Sequence, residues 1–197
     1  MTDEDILTEF RAAEALLEGH FILSSGLRSP RYLQCARVLM EPQRAERLAR
    51  ALAEKLTGQL GAALRTRIGA VVSPAMGGVI IGHEMGRALG LPAMFVERPE
   101  GVFGLRRGFR FDPGTRVLMV EDVVTTGLSS REAIAAIEAA GGKVVAAASL
   151  VDRSEGTVEL GVPFVSLIRI DVPTYSVEDL PPALAAIPAV KPGSRAA

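Results

Sequence analysis

The residues best suited to chemistry follow the apolar run Val117–Val120. Two adjacent acids come directly after it, and a turn rich in hydroxyl groups then opens a run with helical spacing; together they read Glu121, Asp122, Val123, Val124, Thr125, Thr126, Gly127, Leu128 and Ser129. The N-terminus of a helix presents unpaired N–H groups and a partial positive charge, and a glycine lets the backbone approach an anion closely. The turn therefore favours a phosphate group, and the two carboxylates suit sugar hydroxyls or a bound Mg²⁺.

An ordinary helix cap is the alternative for this turn. Ser129 and Glu132 have the Ser-x-x-Glu spacing of a capping box, in which each side chain accepts a bond from the other residue's backbone N–H. A cap alone does not explain two acids at the carboxyl end of a buried strand, where α/β sheets place their ligands.

A second turn has the same construction. The apolar pair Val71-Val72 leads into a turn of small residues and then into a helical run; the turn reads Ser73, Pro74, Ala75, Met76, Gly77 and Gly78. Its two glycines leave backbone amides open to an anion. A tight turn that binds no ligand is the alternative.

Segment 97–109 lies between these turns in the sequence and contains three arginines, Arg98, Arg106 and Arg107, among four glycines and prolines. This composition suggests a flexible lid that can bring positive charge to an anion. The alternative, which the segment taken by itself favours, is an exposed hairpin whose arginines are merely solvated.

The periodicity of the chain predicts the elements that hold these segments. Helices are expected over 3–18 with Gly19 as the stop, from Pro42 to about Thr57, from the second turn to about Leu89, and over Ser130–Ala140, with short strands and turns over 20–40. Apolar runs predict strands at Ile68–Val72, Ala93–Val96, Arg116–Val120, Val144–Val151 and Phe164–Ile170. Strands separated by single helices imply an α/β protein with a mainly parallel sheet, and the tail from Val172 is expected to wrap the surface.

Composition argues against several classes of protein. The 197 residues suit one domain, and a net charge of −1 disfavours a general nucleic-acid binder. No run approaches the roughly 20 apolar residues that span a membrane. The acidic N-terminus is unlike a signal peptide, and a lone Cys35 excludes an intrachain disulfide and a Cys-based metal site, which favours the cytoplasm.

The segment from Val117 to Ser129 resembles the phosphoribosyl pyrophosphate signature of the type I phosphoribosyltransferases. The resemblance implies that family's fold: a mainly parallel central sheet flanked by helices, with a core over about 41–170 and a small hood over about 1–40, to which 171–197 would contribute. It also implies that Glu121 and Asp122 address the ribose hydroxyls. The donor's phosphates would be bound by Val123, Val124 and Thr125–Ser129, and its pyrophosphate by Ser73, Ala75, Met76, Gly77, Gly78 and Arg98.

Two further segments resemble the orotate phosphoribosyltransferases of this family. Phe21–Tyr32 is similar to their N-terminal hood segment, and Leu105–Phe109 reads Leu-Arg-Arg-Gly-Phe, as in a bacterial subgroup. The resemblance implies that Tyr32, Leu33 and Thr125 contact the base and that Arg153 binds the orotate carboxylate, which suits arginine's planar fork. A surface ion pair with Asp152 or Glu155 is the alternative for Arg153.

The chain departs from the family pattern in its lysines. Gly77 stands where many relatives carry a lysine, Ser24 stands at another lysine position, and segment 97–109 contains neither lysine nor histidine. The cationic role would therefore pass to Arg98 and to Arg106 or Arg107, which are the candidate catalytic arginines beside Glu121 and Asp122. In the hood segment Arg28 or Arg31 are the substitutes.

The implied reaction transfers the phosphoribosyl group of phosphoribosyl pyrophosphate to orotate, giving orotidine 5′-monophosphate and pyrophosphate. Mg²⁺ would be the cofactor, held mainly by the substrate and reached by Asp122 through water, with no metal site made by protein alone. The family's lid generally reaches into the neighbouring subunit of a homodimer. A phosphoribosyltransferase for another base and a non-catalytic sensor of the donor are the alternatives.

Overall fold

The computed structural model describes residues 1–23 and 26–192, without the side chains of Leu64 and Arg65. Ser24, one of the positions that depart from the family pattern, lies outside the described residues. The described chain divides into two compact units. We call 39–170 the core unit, and 2–38 together with the residues from Asp171 onward the small unit.

The small unit begins with α1 (Asp3–Ala12), β1 (Leu16–Ile22), β2 (Arg28–Leu33) and most of α2 (Cys35–Leu39). The core unit contains α3 (Pro42–Leu60), α4 (Ala62–Arg65), β3 (Ala70–Pro74), α5 (Gly78–Leu89), β4 (Ala93–Glu97), β5 (Gly104–Leu105), β6 (Arg116–Val124), α6 (Leu128–Ala139), β7 (Lys143–Asp152) and β8 (Phe164–Arg169). The small unit ends with α7 (Pro182–Ala185) and β9 (Ala189–Val190). None of the helices described here combines the length and the apolar character that crossing a membrane requires.

The core unit is built on a six-stranded sheet with the order β5-β4-β3-β6-β7-β8. Neighbouring strands from β4 to β8 run parallel, and only β5 is antiparallel to its partner β4. Helices α3, α5 and α6 pack on the sheet, which buries the apolar runs of β6 and β7 almost completely. The predicted α/β class with a mainly parallel sheet is confirmed, because continuous apolar strands need cover on both faces.

Helix α5 approaches the sheet closely because one of its faces is made of glycines. Gly78, Gly82 and Gly86 recur every four residues and therefore lie on one side of the helix. A Cβ on Gly82 would lie 2.5 Å from Ser73 Oγ, and a Cβ on Gly86 would lie 2.8 Å from Ala93 Cβ. Larger side chains here would push the helix away from the turn that joins it to β3.

The small unit has its own sheet with the order β2-β1-β9. Strands β1 and β2 are antiparallel, and β9 joins β1 in parallel, so the tail contributes a strand rather than only wrapping the surface. His20 is buried beside this strand, and its Nδ1 lies 2.8 Å from the Ile187 carbonyl oxygen. This contact gives His20 a structural role.

The sequence predictions were wrong at two helix boundaries and missed a short helix. The helix predicted over 3–18 ends at Ala12, where Glu14 takes a left-handed φ of 49°, and Leu16 then pairs with Leu33 in the β1–β2 hairpin. Helix α3 continues through Gly58 to Leu60 and is capped by Gly61. Helix α2 was not predicted. In each case packing within the unit overrides a local stop signal or propensity.

Candidate active site

The two predicted phosphate turns lie side by side at the carboxyl edge of the core sheet. Strands β3 and β6 are parallel neighbours, with Val72 opposite Met119, so the turns that follow them emerge at the same edge. Gly77 in the first turn and Asp122 beside the second approach each other directly: a Cβ on Gly77 would lie 2.7 Å and 2.8 Å from the two carboxylate oxygens of Asp122. The topology therefore brings together two motifs that are more than forty residues apart in the sequence.

A cavity of about 440 Å³ opens between these turns and segment 97–109. We call it the phosphate-loop cavity. Its walls come from Ala75 of the first turn, from Arg98 and Phe103, and from the segment after β6, which contributes Glu121, Val123, Thr125, Thr126, Gly127, Leu128, Ser129, Ser130 and Glu132. The phosphate-loop cavity is thus lined by a backbone turn, by hydroxyl groups, by the cation of Arg98 and by the buried carboxylate of Glu121.

Glu121 is held in place inside the core unit. Its side chain is buried, and the Ser130 hydroxyl donates a hydrogen bond of 2.6 Å to Glu121 Oε2. Burial raises the pKa of Glu121 above its ordinary value, and the nearby charge of Asp122 acts in the same direction. Hydrogen bonds from Ser130 and Ser129 act in the opposite direction. Ser130, which the sequence did not single out, therefore fixes the orientation of this carboxylate.

The raised pKa predicts how stability depends on pH. Since folding raises the pKa of Glu121, the folded protein binds more protons than the unfolded chain from about pH 4.5, the ordinary glutamate value, up to the folded pKa. Within that window the contribution of Glu121 to the free energy of unfolding falls as pH rises. Denaturant unfolding of the protein and of Glu121→Gln, measured across this range, should show the wild-type value declining relative to the variant. A wild-type advantage that grows with pH would contradict the assignment.

Asp122 is half-buried, and its position depends on the absence of a side chain at residue 77. Burial raises its pKa, while the backbone N–H groups of Val123 and of Asp122 itself donate to the carboxylate and act in the opposite direction. A lysine at position 77 would place its Cβ inside contact distance of this carboxylate. Asp122 can therefore occupy its observed position because residue 77 is glycine and not the lysine of the family pattern.

The turn after β6 is not a capping box. Helix α6 begins at Leu128 with Gly127 as its N-cap and no side-chain cap bond, and Glu132 pairs with Arg98 rather than with the backbone of Ser129. Gly127 has a left-handed φ of 73°, and a Cβ there would lie 2.4 Å from Val158 Cγ2. Thr125 and Thr126 are exposed at the cavity. The Leu128 N–H donates a long bond of 3.4 Å to Thr126 Oγ1, and the N–H groups that follow it at the helix N-terminus suit an anion.

The predicted lid is a short hairpin in which two of the three arginines are paired. Strand β5 pairs with β4, placing Leu105 opposite Val96. Arg98 forms an ion pair with Glu132 and lies over the Phe103 ring. Further along the hairpin, Arg107 contacts Glu97 at 3.0 Å, and its guanidinium carbon lies 5.5 Å from the centre of the Phe95 ring.

The structure does not bring Arg106 or Arg107 to the phosphate-loop cavity, since neither contributes to its walls. The Arg106 side chain is exposed and forms no hydrogen bond or ion pair with the rest of the described chain. A catalytic role for either arginine stays a prediction.

The residues expected to contact the base are divided between the two units. In the core unit, Arg153 directly follows β7, and its backbone N–H donates a hydrogen bond of 2.8 Å to the Val124 carbonyl. Since Val124 precedes Thr125, the backbone of Arg153 lies close to the start of the turn after β6. Asp152 Oδ2 lies 3.3 Å from Arg169 Nε. In the small unit, Tyr32 and Leu33 are half-buried, and the Tyr32 ring packs on Phe21 with 5.7 Å between centroids.

Besides Ser130, two further residues of the cavity were not identified as site residues from the sequence. Phe103 stacks on Arg98, and its signal in the sequence is an aromatic residue in a glycine-rich segment that also contains arginines. Glu132 entered the sequence analysis only as the partner of Ser129 in a capping box, the alternative for this turn, because its spacing from Ser129 fits that motif. Across the described residues, no group of three or more His, Cys, Asp or Glu side chains is arranged to hold a metal ion.

Comparisons with known proteins identify the family of the chain. A family model described as "Phosphoribosyl transferase domain" matches residues 109–179, which include both carboxylates and the turn after them. The chain is 76% identical to the orotate phosphoribosyltransferase of Rhizorhabdus wittichii, over all of this chain and 98% of the relative. It is 58% identical to the orotate phosphoribosyltransferase of Methylorubrum populi, again over all of this chain and 98% of the relative.

Solved structures give the same result for the fold. The crystal structure of orotate phosphoribosyltransferase from Aeropyrum pernix superposes with a TM-score of 0.65 at 29% identity, covering 83% of this chain and 93% of that one. The chain also resembles the Mycobacterium tuberculosis orotate phosphoribosyltransferase crystallised with inorganic phosphate, with a TM-score of 0.64 at 24% identity, over 84% of this chain and 96% of that one. The expected type I phosphoribosyltransferase fold is confirmed. Because relatives that are 76% and 58% identical match over all of this chain, the chain belongs to the orotate phosphoribosyltransferases.

Proposed function

We propose that the chain transfers the phosphoribosyl group of phosphoribosyl pyrophosphate to orotate at the phosphate-loop cavity. One observation supports this location above all: two adjacent parallel strands end in anion-binding turns, and a carboxylate pair lies where these turns meet. A sugar that carries phosphate groups at two positions needs two phosphate-binding sites, with groups that bind its hydroxyls between them.

In this reaction the bond between the anomeric carbon and pyrophosphate breaks, and a bond from that carbon to a ring nitrogen of deprotonated orotate forms. No protein nucleophile is required, so the chain's contribution is positioning and charge stabilisation. The turn from Thr125 to Ser129 would hold the 5′-phosphate, and Glu121 and Asp122 would accept hydrogen bonds from the ribose hydroxyls. Backbone amides at Gly77 and Gly78 and the guanidinium of Arg98 would bind pyrophosphate.

The donor set is compatible with Mg²⁺ carried by the substrate. Asp122 is half-buried beside the first turn, while the described residues contain no group of side chains that could hold a cation alone. When bound, Mg²⁺ would supply positive charge to the departing pyrophosphate, and Asp122 would reach it through water. Glu121 is better suited to a hydroxyl, because its buried carboxylate already accepts a bond from Ser130.

The assembly and the lid belong to the same proposal. A homodimer in which each hairpin reaches the neighbouring subunit would give Arg106 and Arg107 anions to bind, although both are exposed within one chain. Closure of the hairpin would exclude water and limit hydrolysis of the donor. We also propose that the protein is located in the cytoplasm, which the lone Cys35 favours. Residues 1–40 and 171–197 are proposed to form the hood.

Release of pyrophosphate from the same donor, measured with orotate, uracil, adenine, hypoxanthine and xanthine in turn, tests the choice of base. Turnover with orotate alone is expected. Comparable turnover with another base would point to a different phosphoribosyltransferase, and donor binding without turnover on any base would point to a sensor.

Arg153 is the proposed contact for the orotate carboxylate. Arg153→Ala is expected to lower kcat/KM for orotate by about 10- to 150-fold, because hydrogen bonds to a charged group contribute about 1.5–3 kcal/mol. Uracil lacks that carboxylate, so the preference for orotate over uracil should fall by a similar factor. Arg110→Ala, which removes an exposed arginine elsewhere in the core unit, is the control and should leave both values unchanged. An unchanged preference in Arg153→Ala would remove Arg153 from base recognition.

A further inference from the structure

The arginine of the phosphate-loop cavity is paired with an acid that also lines the cavity. Arg98 Nη2 and Glu132 Oε2 form an ion pair, and the Arg98 guanidinium carbon lies 4.1 Å from the centre of the Phe103 ring. All three residues line the cavity. Glu132 belongs to α6, the same helix whose first residues, Leu128 and Ser129, form part of the turn proposed to bind phosphate.

This arrangement has two consequences for an anion that enters the cavity. The positive charge of Arg98 is already partly neutralised by Glu132, and the Glu132 carboxylate itself repels the anion. The side chains of Arg98 and Glu132 remain 36% and 43% exposed, so their pairing is weak enough to be replaced. Phe103 packs against one face of the Arg98 guanidinium. The N–H donors lie at the edge of the guanidinium and stay able to bind an acceptor.

We propose that Glu132 sets the affinity of the enzyme for pyrophosphate groups by competing with them for Arg98. Binding of the donor replaces Glu132 by phosphate oxygens at the guanidinium, and departure of the product returns Arg98 to Glu132. The acid thus weakens binding of the donor and of pyrophosphate alike, which limits retention of the product. This inference rests on the proposed role of Arg98 in binding pyrophosphate.

Calorimetric titration of the full-length protein with inorganic pyrophosphate and Mg²⁺ tests the competition. Glu132→Gln keeps the size of the side chain and removes its charge, and it is expected to lower the Kd of pyrophosphate about three- to tenfold, in the range expected for losing a partly exposed ion pair and its repulsion. The inhibition constant of pyrophosphate in the orotate reaction should fall by a similar factor. A purely structural role for Glu132 would weaken binding instead.

Glu138→Gln is the matched control, because Glu138 is an exposed acid on the same helix whose side chain bonds no other residue in the described part of the chain. It should leave the Kd unchanged; equal tightening in Glu138→Gln would reduce the effect to net charge and overturn the proposal. In an Arg98→Ala background only the repulsion by Glu132 remains, so Glu132→Gln should tighten binding less than it does in the wild-type protein; equal tightening in the two backgrounds would show repulsion without competition.

The same variants separate this inference from the role of Arg98. Arg98→Ala should raise the Kd of pyrophosphate, and an unchanged value would reject Arg98 as a ligand and the competition with it. If Arg98→Ala weakens binding while Glu132→Gln does not tighten it, the role of Arg98 stands and the competition is rejected. Thermal unfolding of each variant identifies any loss of binding that comes from a damaged fold.

Discussion

Replacing Asp122 with asparagine is expected to lower kcat about 10²- to 10³-fold, the usual cost of removing one preorganised group that stabilises charge in a transition state. Asp122 lies against Gly77 at the meeting point of the two phosphate turns, where the ribose of the donor is proposed to bind. Asparagine has nearly the same shape but lacks the negative charge that ribose hydroxyls and hydrated Mg²⁺ require. Turnover at saturating orotate and donor is the measurement.

The fold is expected to survive this change. Burial already disfavours the charged form of Asp122, as its raised pKa indicates, so a neutral amide at this half-buried position removes a desolvation cost. Asp112→Asn alters the same charge at an exposed position of the core unit and serves as the control for turnover and thermal unfolding. Near-normal turnover in Asp122→Asn would remove Asp122 from the mechanism.

Gly127→Ala is expected to damage both stability and donor binding. A left-handed residue other than glycine costs about 1–2 kcal/mol, and overpacking of a filled space costs about 1–3 kcal/mol more. The second cost applies because a Cβ on Gly127 would lie 2.4 Å from Val158 and 2.9 Å from Leu160. The free energy of unfolding should therefore fall by about 2–5 kcal/mol, and the Kd of the donor should rise at least tenfold as the turn shifts.

Gly141→Ala separates the two costs. Gly141 follows α6 with a φ of 91°, and a Cβ there would meet nothing within 4 Å. Only the backbone cost of about 1–2 kcal/mol is expected in this control, with unchanged donor binding. Chemical denaturation and donor titration of both variants give the comparison. Equal losses in the two proteins would show that contact with Val158 and Leu160 does not fix the turn.

The chemistry of single segments was largely readable from the sequence. A phosphate turn is a local object: Glu121 through Ser129 specify a strand end, a left-handed glycine and a helix N-terminus within nine consecutive residues. The parallel sheet was predictable for a similar reason, since apolar runs such as Val144–Val151 need cover on both faces. The family, the reaction and the fold class inferred from these segments are confirmed by the relatives.

Other features could not be read from the sequence because they depend on residues distant along the chain. The partner of Glu132 is Arg98, 34 residues away, and local spacing alone favoured a capping box that does not form. The helix predicted over 3–18 was wrong for the same reason, because pairing of Leu16 and Leu17 with β2 outweighs their helical spacing.

The sequence by itself determined the apolar runs that become a parallel sheet, the two turns predicted to bind anions and the positions of the acids, since each depends on contacts within a few residues. Tertiary structure alone decided that the turns meet at one sheet edge, that Gly77 leaves space for Asp122, and that Arg98 is held by Glu132 over Phe103. The physical reason is that strand order and helix packing set distances between segments, and periodicity along the chain carries no information about those distances.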